Sequence, residues 1–383
     1  MIDRSLINIP AKLFLNGLSY RYKKKTGKPG TPQALSLEIT HKCIAKCIMC
    51  NIWRISGDEP ELSTDDWLEL LSDSFLSDVR ELDITGGEPF LLDDIDLLFS
   101  GISSLKQTNL KKLKSVAITT NGFLTGRVLE KTEKILRDFK KSGIDLVMVC
   151  AMDAVGEIHE RIRNVKDAWN KVNNTIEGLV GLRGRYPNLV TGIKTTILPV
   201  NIDELERIVL YAAEKGLFTI ISPFIITSGR YLNQEIEKDL IFSKEDKGKM
   251  LRFFAGNQFK WSFHGESLVE YLKSGTIRKP CSCGFNYFFT RSSGEVFLCP
   301  LINRSMGNVK NERIVSLLSS RKAKEFRKKA GKFPECKECT EPGLERYALP
   351  CEGFTYLGML FKYGAKDFIE MHRHLGLEKY IHL

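Results

Sequence analysis

The sequence predicts an α/β fold: a partial, open (β/α)6 TIM-like barrel followed by a small cysteine-rich C-terminal module. Between residues 35 and 226, short apolar runs alternate with longer amphipathic stretches, which is typical of right-handed βαβ units around a parallel sheet. The six predicted strands fall short of the eight that close a barrel. After residue 281 the alternation stops, and the chain becomes rich in cysteine, glycine and basic residues.

The predicted strands and helices follow one another in pairs. Helix starts are indicated where Ser63 precedes Asp66 and Asn201 precedes Glu204 by three residues, the spacing of a capping box. We expect strands at 34–39, 82–85, 115–119, 144–150, 190–198 and 218–226, and helices at 63–75, 93–105, 126–141, 157–182 and 201–215.

Changes in composition divide the chain further. We expect a basic extension before the barrel, and after the barrel a linker, a cysteine-rich module and a helical tail. The predicted boundaries are 1–34 for the extension, 35–235 for the barrel, 236–280 for the helical linker, 281–352 for the module and 353–383 for the tail.

Length and composition exclude some classes of protein. The 383 residues, 43% of them hydrophobic, are enough for a large core, but no apolar run approaches the roughly 18–20 residues of a transmembrane segment. The N-terminus has no secretory signal, so we expect a cytoplasmic protein. In that reducing compartment, ten cysteines favour metal ligands over disulfides.

The net charge of +10 is concentrated in two runs, 23–28 and 321–332. Such runs are either solvated surface or a site for an anionic partner, substrate or membrane surface. Nucleic acid is not an expected partner, because zinc-finger pairs, an aromatic RNA-binding signature and helix-turn-helix punctuation are missing from the sequence.

Cys43, Cys47 and Cys50 have the spacing C-x3-C-x2-C, directly after the first predicted strand. Three thiolates on one tight loop can hold three corners of a cubane iron–sulfur cluster and leave its fourth iron open to a small molecule. The alternative is a zinc site in which His41 supplies the fourth ligand.

Together with Gly86-Gly87-Glu88-Pro89, this spacing resembles the radical S-adenosylmethionine (radical SAM) superfamily over residues 35–230. The resemblance implies a 4Fe-4S cluster on the three cysteines whose open iron binds S-adenosylmethionine. It also implies reductive cleavage of that molecule to a 5′-deoxyadenosyl radical that abstracts hydrogen from a substrate, with a reductant such as flavodoxin or ferredoxin. The predicted strand ends at 194–196 and 228–230 resemble this family as well.

The resemblance also assigns residues to the bound S-adenosylmethionine. Met49 stands where an aromatic residue is usual beside the adenine, and Arg163 would meet the carboxylate. Ala154 and Asn164 depart from the family, because glycines are common at these positions. The full set implied for cofactor binding is Met49, Gly86, Gly87, Glu88, Thr120, Asn121, Asp153 and Arg163.

A second cysteine group consists of Cys283, then Gly294-x4-Cys299, and later Cys336-x2-Cys339. This pattern resembles the SPASM and twitch modules that hold auxiliary clusters in this superfamily. The seven cysteines of a full SPASM module are not present, so the resemblance implies one auxiliary 4Fe-4S cluster. Its implied ligands are Cys283, Cys299, Cys336 and Cys339.

The roles of the remaining cysteines, and the identity of the metal in the second group, are separate questions. Cys281 and Cys351 are left over, and either can replace one of the four implied ligands, although we expect Cys281 to be dispensable. A zinc ribbon made from the same thiolates is the alternative to a cluster. Cys150 lies inside an apolar predicted strand and is expected to be inert core.

An auxiliary cluster favours a net oxidation or an oxidative bond formation on a peptide, sugar or other small molecule. Only 42 residues precede Cys43, which argues against a built-in domain for leader peptides. Two other classes stay open: a non-catalytic iron–sulfur electron carrier or sensor, and a zinc-stabilised binding protein.

Overall fold

A computed structural model of the chain describes residues 4–256, 263–277, 279–343 and 345–373. The predictions for 257–262 and 278 in the linker, and for the tail beyond 373, lie outside the described residues. The described strands form a single sheet, and their bounds are β1 Ala34–Thr40, β2 Glu81–Gly86, β3 Ser115–Thr120, β4 Asp145–Ala151, β5 Leu189–Ile197, β6 Phe218–Pro223, β7 Tyr287–Thr290, β8 Glu295–Phe297 and β9 Ser305–Asn308.

The sheet has the order β6-β5-β4-β3-β2-β1-β7-β8-β9, and β1 to β6 are parallel. Every residue of β1 is buried, as expected for a central strand covered on both faces. The two ends of the sheet, β6 and β9, do not pair with each other. The predicted α/β fold with an open, partial barrel is therefore confirmed.

Helices connect the parallel strands and cover the sheet. Contacts between α3 and α4, and between α4 and α6, make a layer on the outer face. The helices are α1 Arg4–Thr26, α2 Thr64–Ser72, α3 Ile95–Thr108, α4 Thr125–Ser142, α5 Glu157–Arg163, α6 Ala168–Leu182, α7 Leu205–Lys215, α8 Lys244–Phe254, α9 Phe263–Ser274, α10 Ile314–Ser319, α11 Arg321–Lys329, α12 Glu345–Glu352, α13 Phe354–Tyr363 and α14 Ala365–Arg373.

Of the two predicted capping boxes, the one at Ser63 is confirmed: its hydroxyl accepts the Asp66 N–H at 3.1 Å, and the Asp66 carboxylate accepts the Ser63 N–H at 2.8 Å. The box at Asn201 is wrong. Asn201 is buried in a 3₁₀ turn, where its amide accepts the Leu198 N–H at 2.7 Å and donates to the Asp153 carbonyl at 2.7 Å. The buried Asp153 carbonyl needs a hydrogen-bond donor, and this requirement outweighs the capping-box pattern in the local sequence.

The amphipathic stretch predicted at 157–182 is two helices, α5 and α6, separated by a left-handed break. Asn164 has φ 51° and Asp167 has φ 61°. Asn and Asp tolerate this conformation better than other non-glycine residues, because their short polar side chains bond locally. The replacement of a common glycine by Asn164 is therefore compatible with the turn that ends α5.

The cysteine-rich module continues the barrel sheet. Strand β7 pairs in parallel with β1, with Ala34 opposite Tyr287 and Leu37 opposite Thr290, and β8 and β9 extend the sheet in antiparallel pairing. The apolar run of β7 is short and stands among cysteines and glycines, so the sequence pattern did not reveal this pairing.

The basic N-terminal extension contains the helix α1, which packs against α11, α12 and α13. The Tyr20 hydroxyl donates to the Cys281 carbonyl at 2.6 Å, and the Asn16 amide donates to the Pro350 carbonyl at 2.9 Å. Among the described residues, no helix has both the length and the apolar character needed to cross a membrane.

Arg327 ties α11 to the surrounding chain, and its replacement should destabilise the fold. Its buried guanidinium donates to the carbonyls of Gly27 and Leu318, each at 2.8 Å. We expect Arg327→Met to lower the free energy of unfolding by about 2–4 kcal/mol, because both carbonyls lose a charged donor. Denaturant unfolding measures this. The control is Lys328→Met, which changes the exposed neighbouring residue, and an equal loss of stability in that variant would contradict the prediction.

Candidate active site

A cavity opens at the C-terminal ends of the parallel strands, where α/β barrels carry their chemistry. Cys43, Cys47 and Cys50 border it from the loop after β1. The ends of the other parallel strands complete its rim with Thr85, Gly86, Thr119, Thr120, Ala151, Lys194, Thr196, Ser222 and Pro223.

Backbone hydrogen bonds hold the cysteine loop from two sides. The Ile48 N–H donates to the Ile162 carbonyl at 2.9 Å, which satisfies one of the free carbonyls at the end of α5. On the other side, the Asn51 N–H donates to the Tyr231 carbonyl at 2.8 Å. The loop conformation is therefore fixed by the barrel, not by the cysteines alone.

The environment of this loop disfavours the deprotonated, thiolate form of its three cysteines. Burial raises the pKa of Cys43 to about 11 and that of Cys50 to about 12. Burial also raises the pKa of Cys47, although the Arg163 guanidinium, 3.7 Å from its sulfur, offsets part of the effect. A coordinated metal deprotonates a thiol outright, so three half-buried thiols that border one cavity suit a metal cluster.

Two glycines after β2 let that strand end touch the cysteine loop. The Gly87 N–H donates to the Thr40 carbonyl at 2.7 Å. A Cβ on Gly87 would lie 2.2 Å from the Lys42 carbonyl oxygen, and a Cβ on Gly86 would lie 2.3 Å from that of Thr40. No side chain fits at either position, so the glycine pair is required by the approach of the two backbones.

Glu88 is fully buried behind this turn and does not border the cavity. Its carboxylate accepts the Thr120 hydroxyl at 2.8 Å, the Asn121 N–H at 2.7 Å and the Phe90 N–H at 3.1 Å. Burial raises the pKa of Glu88 to about 7 despite these donors. Glu88 thus joins the ends of β2 and β3.

Asp153 and Arg163 form a buried ion pair with 2.7 Å between the carboxylate oxygen and the guanidinium nitrogen. Asp153 also accepts the Thr196 N–H at 2.9 Å, so it connects the ends of β4 and β5. Burial would lower the pKa of Arg163, but Asp153 and Cys47 raise it overall, and the guanidinium stays charged. His159 lies beside the pair, and burial lowers its pKa to about 2.

Two buried donors at the cavity have no partner among the described residues: the Asn121 side-chain amide and the Arg163 Nε. Buried donors without a partner are costly, so each indicates a group that the site receives. Met49 also borders the cavity, where it packs in a small apolar cluster with Ile162 and Leu198.

The far wall of the cavity is charged, and part of it comes from the second module. Lys194 and Arg230 face Glu341, whose pKa burial would raise but these two cations lower overall. Glu38 also borders the cavity. The sequence analysis missed Glu341 and Glu38, because neither belongs to a motif, although Glu341 follows Cys339 by two residues.

Five cysteines of the second module lie close together. A hydrogen bond joins the thiols of Cys281 and Cys283, and it lowers the pKa of Cys281 while raising that of Cys283. The Cys283 thiol also forms a hydrogen bond with the thiol of Cys299. Burial raises the pKa of Cys336 to about 11 and that of Cys339 to about 12, and both thiols interact with Cys281 and Cys299.

The remaining two cysteines lie apart from these sets. Cys351 packs in an apolar cluster with Tyr20 and Phe285, next to α1, and burial raises its pKa to about 12. Cys150 is fully buried inside β4.

Within the described ranges, no group of three or more Cys, His, Asp or Glu side chains has the arrangement of a preformed metal site. A zinc ion takes four ligands around one atom, whereas a cubane spreads its ligands over separate irons and can leave one iron open, which suits the three thiols at the cavity.

Two family models match this chain. Residues 37–212 match the radical SAM superfamily, and residues 281–340 match SPASM, an iron–sulfur cluster-binding domain. The first match covers the cysteine loop and the ends of β1 to β5, and the second covers the five clustered cysteines of the module.

Among curated proteins, the chain is similar to a probable GTP 3′,8-cyclase of Methanococcus aeolicus, at 25% identity over 65% of this chain and 79% of the relative. It is also similar to the sporulation killing factor maturation protein SkfB of Bacillus subtilis, at 22% identity over 75% of this chain and 64% of the relative. The structure of Streptococcus suis SuiB bound to S-adenosylmethionine shares the fold, with a TM-score of 0.58, 14% identity and coverage of 92% and 80% of the two chains.

The backbone approach at Gly87 predicts an unusually severe effect of one methyl group. We expect Gly87→Ala to lower the free energy of unfolding by roughly 2 kcal/mol or more, because the atom that it meets is a backbone carbonyl that cannot move aside. Thermal unfolding measures this. Gly126→Ala adds the same methyl group where nothing lies within 4 Å, and it should be neutral or stabilising. Similar melting temperatures for the two variants would refute the close approach.

Proposed function

The chain belongs to the radical S-adenosylmethionine superfamily and carries a SPASM iron–sulfur module, and on that premise we propose that it oxidises a polar substrate held between its two iron–sulfur sites. Its cofactors are accordingly a 4Fe-4S cluster, S-adenosylmethionine and auxiliary iron–sulfur chemistry in the module. The observation that carries the proposal is that three cysteines and two unpartnered donors surround one cavity.

We propose Cys43, Cys47 and Cys50 as the ligands of the first cluster. When bound, this cluster supplies the electron that cleaves S-adenosylmethionine to methionine and the 5′-deoxyadenosyl radical that takes hydrogen from the substrate. A non-catalytic electron carrier has no use for the unpartnered donors of Asn121 and Arg163 beside such a cluster, so these donors favour the catalytic alternative.

The cavity residues then have distinct roles toward S-adenosylmethionine. Arg163, held in place by Asp153, offers its free Nε–H to the methionine carboxylate. Asn121 offers its amide to a polar group of the methionine or ribose part. The turn at Gly86 and Gly87 presents backbone carbonyls to the ammonium group, because its glycines leave the approach open.

Glu88, Thr120 and Met49 complete the proposed cofactor site. Glu88 is a positioning residue: its buried carboxylate holds Thr120 and the Asn121 backbone in place. Thr120 borders the cavity beside Asn121. Met49 offers an apolar, polarisable surface to the adenine, as an aromatic residue would.

For the auxiliary cluster we propose Cys299, Cys336, Cys339 and one member of the Cys281–Cys283 pair. The sequence prediction takes Cys283 and treats Cys281 as dispensable. Both members of the pair are in contact with the other thiols, since Cys283 hydrogen-bonds to Cys299 as well as to Cys281. The contact with Cys299 supports Cys283, so we propose Cys283 as the fourth ligand, with Cys281 hydrogen-bonded beside it.

The substrate position follows from the charged wall. Lys194 and Arg230 from the barrel, and Glu341 from the module, line the cavity that Cys43, Cys47 and Cys50 border, and they provide donors and acceptors for a polar substrate. Glu341 follows Cys339 by two residues, so this wall leads toward the second cysteine set. The name of one relative concerns GTP, which is a polar substrate, and that of another concerns the maturation of a sporulation killing factor. A purely apolar substrate would remove water from these charges without offering them a polar group.

Radical SAM chemistry needs a reductant, and we propose a flavodoxin or ferredoxin for this role. We also propose that the enzyme works in the cytoplasm. All ten cysteines are free in the structure, which suits a reducing compartment.

Iron content and S-adenosylmethionine cleavage test the first cluster. Two cubane clusters imply about eight irons per chain after anaerobic reconstitution, and the triple variant Cys43→Ala, Cys47→Ala, Cys50→Ala should retain about four. The variant should also lose reductive formation of 5′-deoxyadenosine. Cys150→Ala, which removes a buried thiol outside both sets, should keep both properties. Stoichiometric zinc in place of iron in the wild-type protein would contradict the proposal.

Single cysteine variants identify the fourth auxiliary ligand. We expect Cys283→Ala to lower the iron content and change the electron paramagnetic resonance signal of the auxiliary cluster, because one corner loses its thiolate. Cys281→Ala should retain the iron. The reverse pattern would assign Cys281, and Cys351→Ala serves as a control for a thiol that packs apart from the five clustered cysteines.

A further inference from the structure

The outward face of α1 is apolar, although the fold does not require it to be. Phe14, Leu15, Leu18 and Tyr22 lie on this face with exposed fractions of 49%, 63%, 48% and 55%. Their spacing of about one helical turn aligns them along a single stripe. The opposite face of α1, including Leu13, is buried against the rest of the chain and accounts for the attachment of the helix.

The stripe ends at a basic surface built from two distant parts of the sequence. The run at 23–28 closes α1, and the run at 321–332 forms α11. A Cβ on Gly27 would lie 2.6 Å from the Lys324 carbonyl and 3.2 Å from the Lys328 side chain, so the two runs are in contact. We call the exposed lysines at this junction the basic junction; they are Lys25, Lys28, Lys324 and Lys328.

The lysines of the basic junction are not neutralised by the protein. None of them forms a salt bridge with any residue in the part of the chain that the structure describes. The Lys28 ammonium donates a hydrogen bond to the Tyr22 hydroxyl at 3.0 Å and lies over the Tyr22 ring, which places it at the end of the apolar stripe. Their charge is therefore available to an anionic surface.

We propose that α1 and the basic junction dock the enzyme on an anionic membrane surface. Leucine, phenylalanine and tyrosine side chains on one face of a helix enter the boundary between headgroups and acyl chains, while adjacent lysines bind anionic headgroups. Charge complementarity selects this occupant: the net charge is +10, and the apolar stripe continues directly into unpaired lysines. An acidic protein would need the lysines but not a stripe of four exposed apolar side chains.

The docking surface is separate from the proposed active site. Neither the apolar stripe nor the basic junction contributes a residue to the cavity beside the cysteines. Binding can therefore be tested on the holoenzyme without reference to its substrate, and the outcome does not depend on the proposed reaction.

Cosedimentation of the reconstituted full-length enzyme with vesicles tests the proposal. We expect binding to vesicles of equal parts phosphatidylcholine and phosphatidylglycerol, and little binding to phosphatidylcholine alone. Added salt should weaken it, because headgroup attraction is screened. Absence of binding to the anionic vesicles would overturn the proposal.

Two double variants separate the apolar and basic contributions. We expect Leu15→Ser with Leu18→Ser, and separately Lys324→Gln with Lys328→Gln, each to lower vesicle partitioning roughly tenfold. The apolar control is Leu97→Ser with Leu210→Ser, two leucines that are 63% and 68% exposed on other helices. The charge control is Lys140→Gln with Lys247→Gln, two exposed lysines elsewhere on the chain.

Iron content and circular dichroism should be unchanged in all four double variants, since every substituted side chain is exposed. Wild-type partitioning by the Leu15/Leu18 variant would overturn the proposal, and so would equal losses in the controls. A third outcome would also contradict a membrane partner: vesicle binding that falls in the lysine variant, stays at the wild-type level in the leucine variant, and is competed by polyglutamate. That result would assign the surface to an acidic protein instead.

Discussion

The approach of two backbone segments at the ends of β1 and β2 is the constraint on which the active site depends. Gly86 and Gly87 lie against Thr40 and Lys42 so closely that neither glycine has room for a Cβ. This contact sets where the chain leaves β1 and therefore where Cys43 begins its loop. It also directs Glu88 into the interior, where its carboxylate fixes the end of β3. One backbone contact thus positions three strand ends relative to the cysteines.

The Asp153–Arg163 pair organises the opposite side of the cavity at an energetic cost. Burying two charges is expensive, and their attraction rarely does more than offset the loss of water. Here Asp153 also accepts the Thr196 N–H and Arg163 approaches Cys47, while the Arg163 Nε has no partner among the residues that the structure describes. This desolvation cost falls at the cavity, where the fixed guanidinium can bind an anionic group of a ligand. A stability argument alone would not account for a charged pair in this position.

Much of the barrel was predictable, because its strands and helices are long and strongly periodic. The start of α2 at Ser63 was also predictable, since its cap is local in sequence. The failure at Asn201 has the opposite cause: its amide serves a carbonyl 48 residues away, and no local pattern records that demand. Glu341 escaped notice for the same reason, because its significance arises only when the module folds against the barrel. The ligand roles of the cysteines and the segment boundaries remain predictions.

The pairing of β7 with β1 has a consequence for how the chain folds. β1 has neighbours on both sides, and one of them pairs Ala34 with Tyr287. Contacts between residues so distant in sequence carry a large loop-closure cost and slow folding. Until the C-terminal third is synthesised, one edge of this apolar, fully buried strand stays unpaired. Such an edge is a template for aggregation, so the nascent barrel is vulnerable until the module covers it.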